Sequence, residues 1–266
     1  MTDKAGKPYW EALWAETEIP TVVDPRVPGR RNYVNRRLDA YFRQVFASIK
    51  TAEKRLLEVG CARSAWLPYF AKEFGFKICG LDYSELGCRQ EQEQLASSGV
   101  DGDIVCADFF TPPKELCGAF DVVVSFGVVE HFENTAACLS AFTEFLKPGG
   151  LLFTLVPNTL GTVGWLFNRM NPAVYAMHVP LRPTELRRAH ERAGLQVVRS
   201  HYFLSTSFGV VNLSNLEAGQ FKTRLKQFLL DNLSRLSKLI WIVESYTWEF
   251  PATKLFSPYI VCVARK

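Results

Sequence analysis

Four places in this chain of 266 residues carry residue types suited to a nucleoside-bearing ligand and a mobile proton. Each stands at the end of an apolar run: Gly60 after "LLEV", Asp82 after "ICGL", Asp108 after "IVCA", and the pair Glu130–His131 after "FDVVVSFGVV". A glycine there lets the backbone pass close to a ligand where a side chain would block it. Asp82, 22 residues after Gly60, can accept hydrogen bonds from two ribose hydroxyls at once. Asp108 can accept one from an exocyclic adenine amine, and Phe109 can cover a ring face. The His131 imidazole titrates near neutrality and suits proton removal; the alternative is that it only bonds the backbone at a helix entry. His178, in "AMHVPLRPTEL", is the second candidate. His190 reads as a solvated helix position and His201 as a structural strand residue.

To bring these residues together the chain needs alternating strands and helices. "RLLEVG" reads as a short buried strand, and "KICGLD", "GDIVCADFF", "FDVVVSFG" and "LLFTLVPN" read as further strands. Between them lie the helices "SAWLPYFAKEFG", with Ser64 as N-cap and Gly75 as C-cap, "SELGCRQEQEQLASSG", capped by Ser84, and "TAACLSAFTEFLKPGG", with a Pro-Gly-Gly stop. This alternation implies an α/β fold, a parallel sheet with helices on both faces. Ligands of such sheets sit at the carboxyl ends of the strands, where all four candidate places fall.

The loop after Gly60 reads Cys61, Ala62, Arg63, Ser64. A dinucleotide loop needs three spaced glycines to admit a pyrophosphate, so a nicotinamide cofactor is disfavoured. The motifs "LLEVGCARS", "GLDYS", "CADFF", "FDVVVSFGVVEHF" and "LKPGG", in that order, resemble those of class I S-adenosylmethionine-dependent methyltransferases. That cofactor has no pyrophosphate, so a small residue suffices in the loop. The resemblance implies a Rossmann-like seven-stranded, mostly parallel sheet whose last strand, "SPYIVCVARK", is antiparallel. It implies S-adenosylmethionine as cofactor and cofactor contacts at Glu58, Gly60, Cys61, Ala62, Asp82, Tyr83, Asp108, Phe109 and Phe126. Glu58 would support the methionine end. Arg63 either reaches the cofactor's carboxylate or faces solvent, and the turn at Ala62 departs from the family's glycine-rich form.

The expected organisation is one methyltransferase domain over 1–266. Residues 1–50 form a helical lid, 51–204 and 256–266 the cofactor-binding core, and 205–255 an inserted helical cap. In the lid, "KPYWEALWAETE" and "RRNYVNRRLDAYFRQVFASIK" read as helices, with Tyr9 and Trp10 as candidate acceptor contacts. The cluster Arg30, Arg31, Arg36 and Arg37 is either a solvated face or a site for an anionic group. "PNTLGTVGWLFNRMNPAVYAMH" offers Asn158, Trp165 and Tyr175 as acceptor-pocket lining, with Gly161 and Gly164 as flexible joints. "FKTRLKQFLLDNLSRLSKLIWIV" has apolar residues at helical spacing and basic residues between them. It reads as a cap packed on the domain or on a second copy, or as a helix lying on an anionic membrane.

Composition bounds the function. A net charge of +4 is too small to argue for nucleic acid, so a small-molecule acceptor is expected and no nucleic acid. No apolar run approaches a membrane span, and the start has no signal-peptide pattern. The seven cysteines, an odd number without a CxxC pair, read as buried reduced thiols of a cytoplasmic protein, monomer or homodimer. No metal is called for. The rival readings are a catalytically silent cofactor binder on the same fold and a macromolecule methyltransferase.

Overall fold

The computed structural model describes residues 3–213, 216 and 220–266. Seven strands, β1 (Arg55–Val59), β2 (Lys77–Asp82), β3 (Gly102–Cys106), β4 (Phe120–Phe126), β5 (Leu146–Pro157), β6 (Gln196–Phe203) and β7 (Tyr259–Arg265), form one sheet. Their order is β3-β2-β1-β4-β5-β7-β6. β1 to β5 pair in parallel, and β7 runs antiparallel to both β5 and β6. The chain winds outward from β1 to β3 and then returns to lay β4 on the other side of β1. The crevice therefore opens at the carboxyl ends of β1 and β4.

Alternate residues of the central strands feed two separate cores, because successive side chains leave a strand on opposite faces. Leu56, Val122, Val124 and Phe153 meet the aromatic residues of α2 (Tyr33–Phe46) and α3 (Leu67–Phe74). Phe42 lies edge-on to Phe70 and Phe153 at 5.0 and 4.9 Å. Leu57, Val59, Val123 and Leu152 meet α5 (Thr135–Phe145) and α8 (Pro183–Arg192). Two-sided burial explains why these strands read as unbroken apolar runs.

Several local expectations are corrected. Helix α3 starts at Leu67 rather than Ser64, although the Ser64 hydroxyl still accepts from the Trp66 and Leu67 N–H groups at 3.0 Å. Ser84 does cap α4 (Glu85–Ser97), accepting from the Gly87 N–H at 2.9 Å. "LKPGG" does not end α5; Leu146 already pairs with Phe120 as the start of β5, before a bulge. Gly161 and Gly164 are packing glycines, not joints: an added Cβ would lie 2.5 Å from the Lys254 carbonyl oxygen and 2.0 Å from that of Thr159. Cys106 and Cys117 are exposed, whereas the other five thiols are buried. They lie at the margin of the sheet and in a loop, where no helix covers them.

His190 is also misread from sequence. It faces inward from α8, fully buried, with Nδ1 2.8 Å from the Leu186 carbonyl oxygen and Nε2 3.0 Å from the Thr154 hydroxyl. Burial pushes its pKa down from 6.5 to about 4. A depressed folded-state pKa means that the neutral ring is favoured by folding. Its contribution is complete above pH 6.5 and is lost as pH falls towards 4. Over that window the loss is on the order of 3 kcal/mol. Urea midpoints of the wild type and His190→Gln across this range should converge as the pH falls. A constant gap between them would exclude His190 as the source.

The segment before β7 holds α9 (Phe221–Tyr246); residues 214, 215 and 217–219 of the expected 205–255 insertion lie outside the described residues. Its inner side buries Leu230, Ser237, Trp241 and Glu244. Trp241 stacks on Tyr33 at 5.2 Å, and the Tyr33 hydroxyl donates to Glu244 at 2.8 Å. The expected packing on the domain thus uses the narrower face, while Phe221, Leu225, Phe228, Leu236 and Leu239 point outward. No helix among the described residues is long and apolar enough to cross a membrane. Among the arginines of the lid, Arg37 pairs with Glu249 at 2.6 Å and Arg36 donates to the Gly29 carbonyl at 2.9 Å.

Candidate active site

The loop between β1 and α3 is built around a backbone that only glycine suits. Gly60 has φ +80°, and an added Cβ would stand 2.4 Å from Val128 Cγ2. The residue that adopts the left-handed conformation further on is Arg63, at φ 58°, not Ala62. Arg63 neither reaches into the crevice nor faces solvent. Its guanidinium is buried under α1 (Lys7–Glu16), with its centre 5.2 Å from the Trp14 ring. It donates to the Thr17 carbonyl at 2.8 Å, to the Thr17 hydroxyl and to the Glu18 carbonyl. The arm is thereby clasped to the loop.

Behind the loop stand two carboxylates. Asp82, at the end of β2, accepts from the Ala62 N–H at 3.1 Å and the Ser84 N–H at 2.8 Å. Each oxygen keeps a lone pair for a ligand. Burial raises its pKa, and the backbone N–H groups oppose that rise. Glu58, in β1, accepts from the Ser64 hydroxyl at 2.8 Å, and burial pushes its carboxyl well above the usual range.

These groups line a cavity of about 240 Å³ with Gly60, Ala62, Tyr83, Phe109, Phe126, Gly127 and His131. The arm supplies its cover through Asp3, Trp10 and Trp14. The Asp3 carboxylate accepts from the Tyr83 hydroxyl and from Trp10 Nε1, the latter at 3.3 Å. The Lys4 N–H donates to the His131 carbonyl at 3.0 Å. Aromatic faces with a carboxylate at either end suit a ligand carrying a sulfonium, an ammonium and a ribose. S-adenosylmethionine has all three, so the residues present fit it.

A second cavity, about 380 Å³, adjoins the first and shares Trp10, Trp66, Phe126, Gly127 and His131 with it. Tyr9, Leu38, Glu130, Phe167, Met177 and His178 complete much of its wall. His131 is therefore common to both cavities. Its ring meets Trp10 edge-on at 5.2 Å and lies 4.7 Å from the His178 ring. Burial, and secondarily the neighbouring His178, push the His131 pKa down to about 4. Burial lowers that of His178 and raises that of Glu130 to about 8.

Not every expected contact lies here. The Cys61 side chain is buried in the core, against Gly80. Asp108 is exposed and its carboxylate accepts from the Phe110 N–H at 2.9 Å, because the chain turns outward after β3. Asn158 is a structural tie, donating to the Lys254 and Ser257 carbonyls at 2.9 Å. Trp165 is 64% exposed on the outer side of α6 (Thr162–Met170). Tyr175, in the short α7 (Pro172–Tyr175), donates to the Thr159 carbonyl at 3.1 Å and lines neither cavity. Conversely, sequence reasoning passed over Asp3, Trp14 and Trp66 as site residues and gave Glu130 a place but no role. Only Glu130 carried a readable signal, its place beside His131 at the end of an apolar strand.

The comparisons agree with this geometry. Residues 30–200 match a family model described as a methyltransferase domain. Ubiquinone biosynthesis O-methyltransferase of Chromobacterium violaceum is 30% identical over 152 residues, 54% of this chain and 65% of that protein, so the match spans just under two thirds of the relative's length. The enzyme of the same name from Brucella anthropi is 29% identical over 64% of this chain and 72% of that protein. Among solved structures, a putative sarcosine dimethylglycine methyltransferase from Galdieria sulphuraria superposes with a TM-score of 0.61 at 12% identity, covering 100% of this chain and 98% of the other. The cyclase SpnF does so with a TM-score of 0.64 at 15% identity, covering 100% and 96%. These two likenesses concern the fold. With more than half of its length matched by the family model and the loop, carboxylates and sheet order in place, the chain belongs to the methyltransferase domain family, on the class I S-adenosylmethionine-dependent fold.

Proposed function

We propose that this protein transfers the methyl group of S-adenosylmethionine to an oxygen of a small-molecule acceptor held in the second cavity. The observation that carries this reading is the pair of adjoining cavities with His131 in the wall of both. On this reading the first cavity takes the cofactor and the second takes the acceptor. Relatives named O-methyltransferases support oxygen as the atom.

Transfer from a sulfonium is an in-line displacement. The S–CH3 bond breaks as the O–CH3 bond forms, the sulfur becomes neutral, and the acceptor's hydroxyl proton must leave. Donor and acceptor held side by side in adjoining cavities would convert a bimolecular encounter into a positioned one. Trp10, Trp66 and Phe126 make the shared wall apolar, and charge is annihilated more easily there than in water. The acceptor's proton leaves beside Glu130, His131 and His178, the polar part of the second cavity's wall. Small phenols, carboxylic acids, amines and thiols should be offered with S-adenosylmethionine while S-adenosylhomocysteine is measured. Turnover is expected with hydroxyl acceptors. Turnover with amines or thiols alone would overturn the choice of oxygen, and cofactor binding without turnover on any acceptor would favour a silent binder.

A further inference from the structure

Three acceptor groups meet where the two cavities join. Glu130 and His131 come from the 3-10 turn after β4, and His178 from the connection between α7 and α8. One ligand atom of each lies within 4.8 Å of the other two. The backbone sets both tautomers. His131 Nδ1 stands 3.1 Å from the Met177 carbonyl oxygen and His178 Nδ1 3.0 Å from that of Val174. A carbonyl only accepts, so each Nδ1 carries the proton and each Nε2 keeps its lone pair. Glu130 is 2% exposed, and its Oε2 is buried without a hydrogen-bond partner.

Lone pairs do not gather in a dry place for nothing. A buried acceptor left without a partner costs about 1–3 kcal/mol, more if charged. The Lys4 charge acts on both imidazoles from a distance, but among the described residues no side-chain cation pairs with or donates to these three. The nearest ring is Trp10, edge-on to His131. Lys4, on the arm strand, bonds the His131 carbonyl through its backbone, and the Asp3 carboxylate is taken by Tyr83 and Trp10. A carbonyl behind each imidazole is also what orients metal-binding histidines and raises their basicity. Two imidazoles and one carboxylate suit a first-row divalent transition metal, whereas magnesium and calcium prefer oxygen-only shells.

We infer that Glu130, His131 and His178 hold a divalent transition-metal cation, zinc foremost, with its open positions turned to the acceptor cavity. This role rests on the reading of that cavity as the acceptor site, and it departs from the sequence reading, which called for no metal. The acceptor hydroxyl then binds the cation, its proton leaves to solvent water, and the metal-held oxyanion attacks the methyl. Proton, methyl and charge balance without a redox step.

The competing explanation is a single proton shared between Glu130 and an imidazole. Protein stripped with a chelator and dialysed should be titrated with Zn²⁺ by calorimetry and with Co²⁺ by visible absorption. One equivalent of Zn²⁺ and ligand-field bands of Co²⁺ are expected. Glu130→Gln, which keeps shape and removes the charge, and His178→Ala should each weaken Zn²⁺ by more than about 100-fold. Melting curves confirm that both variants fold. S-adenosylhomocysteine binding to the metal-free protein should stay within about threefold of the metal-loaded value. A folded wild type that binds S-adenosylhomocysteine but takes up no Zn²⁺, or Zn²⁺ binding unaffected by both substitutions, overturns the metal site in favour of the shared proton. Failure to bind S-adenosylhomocysteine instead overturns the functional reading, and with it the role given to the cation.

Discussion

Replacing His131 by alanine is expected to lower turnover on the acceptor by about 10²–10⁴-fold, the range for losing a group that manages a proton in the transition state. The residue is the only polar side chain in the wall of both cavities that comes from the turn after β4. Affinity for S-adenosylhomocysteine should hardly change, since the carboxylates of Glu58 and Asp82 do not touch it. Stability should fall modestly, by about 1 kcal/mol for the hydrogen bond to Met177. Three measurements on one variant separate the possibilities: melting temperature, calorimetric affinity for S-adenosylhomocysteine, and turnover. Near-normal turnover in a folded variant would remove His131 from the chemistry. Parallel loss of stability, binding and turnover would make it a tie between the turn and the connection that follows α7.

Asp82→Ala should weaken S-adenosylhomocysteine by about 2–3 kcal/mol, roughly 30–150-fold in Kd, if both ribose hydroxyls bond the carboxylate. Part of that loss has another origin. The same carboxylate accepts from the Ala62 and Ser84 N–H groups, so alanine also frees the loop that carries Gly60. Asp82→Asn keeps one acceptor oxygen and should lose less than alanine does. Calorimetry on both variants, with melting curves, gives the comparison. Unchanged affinity in folded Asp82→Ala would falsify the assignment.

How far the chain could be read depended on the range of the interactions. The central parallel strands were legible because burial on both faces leaves apolar runs that nothing else explains, whereas β3 is an exposed edge strand. The antiparallel seventh strand came through the family resemblance, not through periodicity. Gly60, Asp82 and Phe126 were singled out by their places at strand ends, and all three line the first cavity. Asp108 and Cys61 were misplaced because the direction of a side chain at a strand end depends on the next turn, which spacing does not reveal. Trp165 and Tyr175 look like pocket residues by type, yet one faces out of α6 and the other ties to Thr159. Arg63 was beyond reach altogether: its partners lie more than 40 residues away in the arm. His190 shows the same limit, since Thr154 on β5, not its own helix, decides that it is buried.

A single arm contributes to the walls of both cavities, so ligands bound in the two would share one door. Trp10 belongs to both walls, and the strip from Asp3 to Glu18 is fastened at one end by Tyr83 and at the other by Arg63. If those fastenings must open for S-adenosylhomocysteine to leave, exchange requires the strip to let go and re-seat. Chemistry and traffic then have separate clocks. A steady-state rate limited by that opening would move with solvent viscosity even where the methyl-transfer step itself does not.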